Sequence, residues 1–426
     1  MNINKLSFLF LFVPAAALSQ STSSPIEVLS LDDCIALSCD NYPAVKQYGL
    51  IERSRDYTVS NAGTAWLPRI DVSAGIYGFT DIIDGSIGAA IDIDNHLANA
   101  SVTVSQNIYD GGRTAANKRV ARAEAAVQSR ALDVTMYDVR TRVENIFFGI
   151  LLIDEQLRQN DMLQEDLRIG LKAVRDMEKG GIASADDIEE IEVELLRAEQ
   201  QAVAYEASRS AYVRMLSVFI GKSLSDDIVL ARPTPISLSE ASGNGTLRPE
   251  WSYYIAQEKL VDEQLRQLNV GLLPTLSAFG TGTLHSRPTS FTKSGVLLGG
   301  ISLSWNIGAL YTRKNDKGRL AVQKESIGSE KAVFLFNNRI QNADINGAIA
   351  TLMRQIERDD KIVALRENIR SRSEKKVQLG TESVSDMLRN INDVSLARQQ
   401  RAIHEIQLLQ EYYNLKNINN TTGYEE

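Results

Sequence analysis

Apolar residues recur at Leu132, Met136, Val139, Val143, Ile146, Ile150, Ile153 and Leu157, in alternating steps of three and four. That spacing keeps one stripe of a helix apolar and predicts lengthwise packing against other helices. The stripe lapses at Asn160 and Gln164 and resumes with Leu167, Leu171 and Val174. No proline interrupts the chain between Pro68 and Pro233, so one helix is predicted from about Asp110 to Met177, on the order of 100 Å long.

Elsewhere the period changes to two. Ile70, Val72, Ala74 and Ile76 alternate with Asp71, Ser73, Gly75 and Tyr77, and Val102, Val104 and Ile108 with Ser101, Thr103, Ser105 and Asn107. Each reads as a strand with one apolar and one polar face, about ten residues long, which suits a membrane barrel wall. An ordinary antiparallel hairpin packed on a soluble core has the same periodicity.

The pattern then repeats. A helix from Leu31 to about Trp66, with a kink near Pro43, precedes the first strand pair. A helix over Arg248–Gly271 precedes a second pair, Leu276–Thr283 and Val296–Asn306, separated by a polar loop over His285–Ser294. A second long helix is predicted from Thr312 to Gln378, with Ile345, Ile349, Leu352 and Ile356 on its stripe. Each long helix ends in a glycine turn and is followed by a returning helix, from Ala185 to Phe219 and from Val384 to Leu415. Gly181–Asp187 stands 199 residues before Gly380–Asp386, and Leu67-Pro68 stands 206 before Leu273-Pro274. The chain therefore reads as an internal duplication: residues 20–232, an irregular Pro/Gly-bearing connection at 233–247, and residues 248–426. Four strands cannot close a membrane barrel, so a membrane role demands several chains.

Composition narrows the function. The 426 residues carry a net charge of −8 and no dense basic cluster, which argues against a nucleic-acid footprint. Residues 1–19 read as a signal peptide, with Lys5 before an apolar run and a small-x-small site at Ala17–Ser19; an uncleaved anchor is the other reading. Cys34 and Cys39 fall on different faces of one helix and read as free. No stretch is long and apolar enough for a membrane helix.

Enzyme, cofactor and metal chemistry have no carriers. The three histidines, His96, His285 and His404, lack metal-ligand spacing, and no phosphate loop, nucleophile elbow or HExxH is present. Asp81, Asp84, Asp92 and Asp94 lack the spacing and glycine of a calcium loop and read as solvated. Glu189 and Glu190 read as a solvated helix face.

The chain resembles the TolC-like outer membrane efflux proteins over essentially its whole mature length. The marks are Leu31-Asp32-Asp33-Cys34-Ile35-Ala36-Leu37, Asn41-Tyr42-Pro43, Leu67-Pro68-Arg69-Ile70-Asp71, Ser105–Arg113 and the turns at Gly181 and Gly380. The resemblance implies a homotrimer whose strands share one twelve-stranded barrel in outer-membrane lipid. Its helices would line a tunnel through the periplasm. Such a protein is a passive exit duct that docks a periplasmic adaptor (membrane-fusion) protein and an inner-membrane transporter. Gly181, Ile182, Ala183, Ser184, Gly380, Thr381, Glu382 and Ser383 would then be adaptor-docking tips. Asp386 falls where family members line the entrance with a carboxylate ring, with Arg389 where they carry a second aspartate. Asp386 serves equally as a helix-start residue. Asp187 falls where some members anchor a closing latch, but its partner positions hold Val377 and Glu382, leaving Lys179, Arg389 or Lys376 as substitute partners. From the residues alone, a soluble periplasmic coiled-coil scaffold or adaptor-like protein is the alternative.

Overall fold

The computed structural model describes residues 28–78, 96–236, 248–287 and 290–419. The expected signal peptide and the carboxylates Asp81, Asp84, Asp92 and Asp94 lie outside them.

Helix α1 (Leu31–Asn41) starts with a capping box: the Asp33 amide donates to Ser30 Oγ, and the Ser30 amide and hydroxyl donate to the Asp33 carboxylate. These bonds hold the Asp33 carboxyl below its ordinary range. Pro43 opens a single 3-10 turn before α2 (Lys46–Gly63), which is the expected kink. The other α-helices among the described residues are α3 (Arg113–Lys179), α4 (Ala185–Ile220), α5 (Pro249–Val270), α6 (Ala309–Gln378) and α7 (Val384–Asn419). The duplication is visible in the order, helix–strand–strand–long helix–helix in each half.

The helices pack lengthwise against one another, and α4 and α7 also touch directly. At the strand end the neighbours run α2–α3–α5–α6, and toward the glycine turns α4–α3–α7–α6. Thus α3 is flanked along its whole length, whereas α6 has partners on one side. Across the middle, a core of Val143, Phe147, Phe148, Ile150, Val213, Leu216 and Leu409 joins α3, α4 and α7. It also receives Leu29 and Leu230, from strands β1 (Val28–Leu29) and β4 (Val229–Leu230), which pair in parallel. The sequence reading missed this two-residue ladder because neither strand is long enough to show a period.

Two sequence expectations are corrected. The stripe of α3 does not lapse at Asn160 and Gln164: both are buried, and Gln164 Nε2 donates to Asn160 Oδ1 at 2.7 Å. Burial continues there because the two amides satisfy each other. The polar loop expected over His285–Ser294 is mostly strand, since β5 (Thr275–Arg287) and β6 (Ser290–Ser304) pair as far as Arg287↔Ser290. Backbone pairing carries Ser and Thr residues as readily as apolar ones. β6 also stops short of Trp305, whose indole Nε1 instead donates to Leu272 O at 3.0 Å.

With β2 (Arg69–Gly78) and β3 (His96–Tyr109), these strands form an antiparallel sheet in the order β2-β3-β5-β6. The register puts Val72, Val102, Gly282 and Leu297 in one row of one face. Asp71, Thr103, Thr281 and Leu298 make the adjacent row on the other face. Among the described residues, the outer edges of β2 and β6 have no strand beside them in the sheet.

Candidate functional site: the paired helix turns and the open sheet

Each long helix ends in the same device. At the first turn, the Ile182 amide donates to Met177 O and the Gly181 amide to Glu178 O. At the second, the Thr381 amide donates to Lys376 O and the Gly380 amide to Val377 O. Both are Schellman closures, and both place glycine at positive φ, 72° at Gly181 and 71° at Gly380. Ser184 and Ser383 then start the returning helices. The Asp187 amide donates to Ser184 Oγ and the Asp386 amide to Ser383 Oγ, at 3.2 and 3.1 Å.

The structure sets the two turns side by side. A Cβ on Gly380 would lie 3.8 Å from Ile182 Cγ2. Ser385 Oγ donates to Glu190 Oε2 at 2.6 Å, so Glu190 belongs to a contact between the halves rather than to a free solvated face. Further up, Asn392 reaches Glu194 and Gln399 reaches Tyr205, at 3.2 and 3.0 Å. These pairs are separated by 194 to 198 residues, close to the repeat offset. The duplication therefore laid equivalent parts of α4 and α7 alongside each other. A shared core above the turns, including Leu171, Val174, Ile191, Val384, Met387 and Ile391, holds both hairpins together.

The candidate entrance residues sit at these helix starts. Asp187 accepts from the amide and hydroxyl of Ser184, both at 2.8 Å. Asp386 accepts from the Ser383 hydroxyl at 2.7 Å and meets Arg389 at 3.4 Å. Within the chain the three cations considered for Asp187 have other partners: Lys179 pairs with Asp176, Lys376 with Glu382 and Arg389 with Asp386. Glu382 also accepts from Ser373 Oγ at 2.7 Å. Ile182 and Leu379 are exposed at the two turns.

A charge network above the turns escaped sequence reasoning. Arg370 grips Asp166 with two bonds of 2.5 and 2.8 Å and also donates to Glu374. Arg398 donates to Glu367 at 2.7 Å and lies 3.6 Å from Asp166. It ties α3, α6 and α7 together. Only the repeat offset, similar to the 204-residue separation of Arg370 and Asp166, hints at it.

The junction between strands and helices is equally specific. Gly111 and Gly112 both have positive φ, and a Cβ on Gly111 would meet Leu273 Cβ at 2.8 Å. Asp110 accepts from the Gly112 and Thr114 amides, both at 2.7 Å. Burial pushes its carboxyl up, but these bonds outweigh it and hold it below the ordinary range. Arg113 donates to the Gly271 carbonyl at 2.9 Å, so the first repeat's junction is fastened onto the second.

The sheet has one apolar face open to solvent. Ile76 is 79% exposed and Leu297 89%, and Ile70, Val72, Val102, Val104, Leu284, Ile301 and Leu303 join them. Each such side chain forgoes about 1.5–3 kcal/mol while it faces water. The opposite face carries hydroxyls, with Ser73 bonded to Ser101 and Thr103 to Thr281. Among the described residues no helix is long and apolar enough to cross a membrane, and no cluster could hold a metal ion. Cys34 and Cys39 are free, and burial pushes the Cys34 thiol up to about 12.

Residues 35–222 match the family model described as outer membrane efflux protein, which bears out the resemblance drawn from the motifs. Among curated protein sequences none is significantly similar. Among solved structures, the outer membrane protein VceC from Vibrio cholerae is similar at a TM-score of 0.67 and 11% identity. That likeness covers 93% of this chain and 97% of that one. The CmeC outer membrane channel of Campylobacter jejuni is similar at 0.64 and 14% identity, covering 99% and 95%. The open-state MtrE outer membrane channel of Neisseria gonorrhoeae follows at 0.62 and 14%, covering 92% and 88%. This chain has the fold of those channels.

Proposed function

We propose that the chain is one third of a passive outer-membrane exit duct, serving a tripartite efflux pump or a type I secretion system. The observation that carries this reading is the open four-stranded sheet, apolar on one face, hydroxyl-bearing on the other, and unpaired at both edges. Strands of 10 to 15 residues are long enough to cross a bilayer at a tilt. Three copies joined edge to edge, β6 to the next copy's β2, make twelve strands with lipid outside and water inside. The long helices continue downward from the sheet, as a tunnel wall through the periplasm.

In this reading the paired turns face the periplasmic adaptor. Gly181–Ser184, with Ile182 exposed, and Gly380–Ser383, beside the exposed Leu379, present small residues to it, and an inner-membrane transporter supplies the energy. Asp386, repeated three times about the axis, forms a carboxylate ring at the entrance that favours cations. Arg389 offsets part of that charge. Asp187 holds the neighbouring helix start.

The test is fractionation. Heat-modifiable, detergent-requiring trimers in the outer-membrane fraction are expected. Release as a monomer by osmotic shock would instead identify a soluble coiled-coil scaffold. For the entrance, Asp386→Asn should move the reversal potential of reconstituted channels toward zero under a salt gradient. An unchanged reversal potential would remove Asp386 from the ring.

A further inference from the structure

The two hairpins of the sheet differ on their polar face. In the first, that face reads Asp71 and Ser73 on β2, and Ser101, Thr103 and Ser105 on β3. In the second, the same rows continue into Phe279, Thr281 and Thr283 on β5 and into Gly300, Leu298 and Val296 on β6. Directly paired residues project to the same side, and the contacts agree. The Thr103 and Thr281 hydroxyls are 3.1 Å apart, which puts Thr281, and so its partner Leu298, on the hydroxyl face. Phe279 lies against Gly300 on that face, its ring carbons 3.5 Å from where a Gly300 Cβ would stand. Leu298 is 59% exposed.

Phe279, Leu298 and Val296 thus occupy three successive rows and make a continuous apolar stripe about 14 Å tall. β6 is consequently apolar on both faces, which a wall between lipid and water does not require. The next copy's β2 would bring Arg69, Asp71 and Ser73 beside the stripe, and these polar side chains leave it open to the lumen.

We infer that this stripe is a transit surface for organic cargo with apolar groups. The inference rests on the duct reading. Three stripes alternate with three hydroxyl-lined hairpins around the lumen, so an amphiphilic molecule finds apolar and hydrogen-bonding walls side by side. Hydrated inorganic ions gain nothing from the stripe.

The test uses the full-length protein in planar bilayers, with two cations of equal charge. Tetraphenylphosphonium chloride should reduce the potassium current at concentrations about tenfold below those needed with tetramethylammonium chloride, a difference that contact with a few apolar side chains supplies. The combined variant Phe279→Ser, Val296→Thr, Leu298→Thr keeps residues that strands accept and should abolish that difference. The variant Thr281→Val, Thr283→Val widens the stripe and should increase it. Channels in which neither variant changes the ratio would overturn the inference alone. Absence of any conductance from the unaltered protein would overturn the duct reading and the inference with it.

Discussion

The two long helices, α3 and α6, are counterparts in the duplication and nearly equal in length, 67 and 70 residues. Yet α3 is buried in almost every turn, while α6 leaves Val333, Phe336, Ile340, Ile362, Leu365 and Ile369 exposed. The difference is one of place. α3 stands inside the wall with helices on both sides, and α6 stands at its edge. Apolar residues therefore enter a finished core in α3 and face solvent on α6. In the proposed trimer this uncovered stripe of α6 is where a second copy would pack.

The largest effect should follow from Phe147→Ala, which empties a fully buried site in α3 and should cost about 3–5 kcal/mol in thermal or denaturant unfolding. Its foil is Phe336→Ala on α6. It should leave the isolated protomer within about 0.5 kcal/mol of its starting stability but lower the temperature at which the trimer dissociates in detergent. A trimer of unchanged heat resistance would mean that the α6 edge is not where copies meet.

Next in size is the buried polar cluster of α3. Glu144 takes a 3.0 Å bond from Arg140 and a second from Asn417, whose carbonyl accepts from the Tyr137 hydroxyl. Glu144→Ala breaks the buried ion pair with Arg140 and the bond from Asn417 and should cost about 3–5 kcal/mol, whereas Glu144→Gln keeps the shape and should cost far less. Burial pushes the Glu144 carboxyl above its ordinary 4.5, despite Arg140 and Asn417. The folded state then holds its proton more tightly than the unfolded one. That contribution to stability is complete below the ordinary value and is lost as pH rises through the raised one. Glu144→Gln should flatten this part of the stability–pH profile. An identical profile in the variant would assign the slope to another group.

The smallest effects belong to the paired turns. Gly181→Ala and Gly380→Ala should each cost about 1–2 kcal/mol through positive φ alone, since neither new methyl meets a clash. Near-equal losses, read as hydrogen exchange at the first turns of α4 and α7, are expected from their twin closures. A loss at only one turn would break the equivalence of the two halves.

Much of this was legible in the residues. The stripe of α3, both glycine turns, the serine starts and the four strands follow from periods and caps that act over a few positions. The contact of α4 with α7 was not drawn from the duplication, although its pairs lie about one repeat offset apart. The Asp166–Arg370–Arg398 network was not legible, since Arg and Asp on solvated helix faces look alike whether or not they meet. Nor was the true extent of β5 and β6, where pairing rather than side-chain alternation carries the strand. At the turns, the positions of Asp187 and Asp386 were readable, but the structure binds both first to their own helix starts.

The short ladder of β1 with β4 sets the order in which the molecule can be completed. Val28 pairs with Val229, so the first described residues have no strand partner until some two hundred more have been made. The mid-wall core they enter also needs Ile406 and Leu409 from α7. Closing so long a loop is slow but adds little to its entropic cost compared with a shorter one. The hairpins at the turns depend on near neighbours and can form early. The waist of the molecule thus joins the beginning, middle and end of the chain.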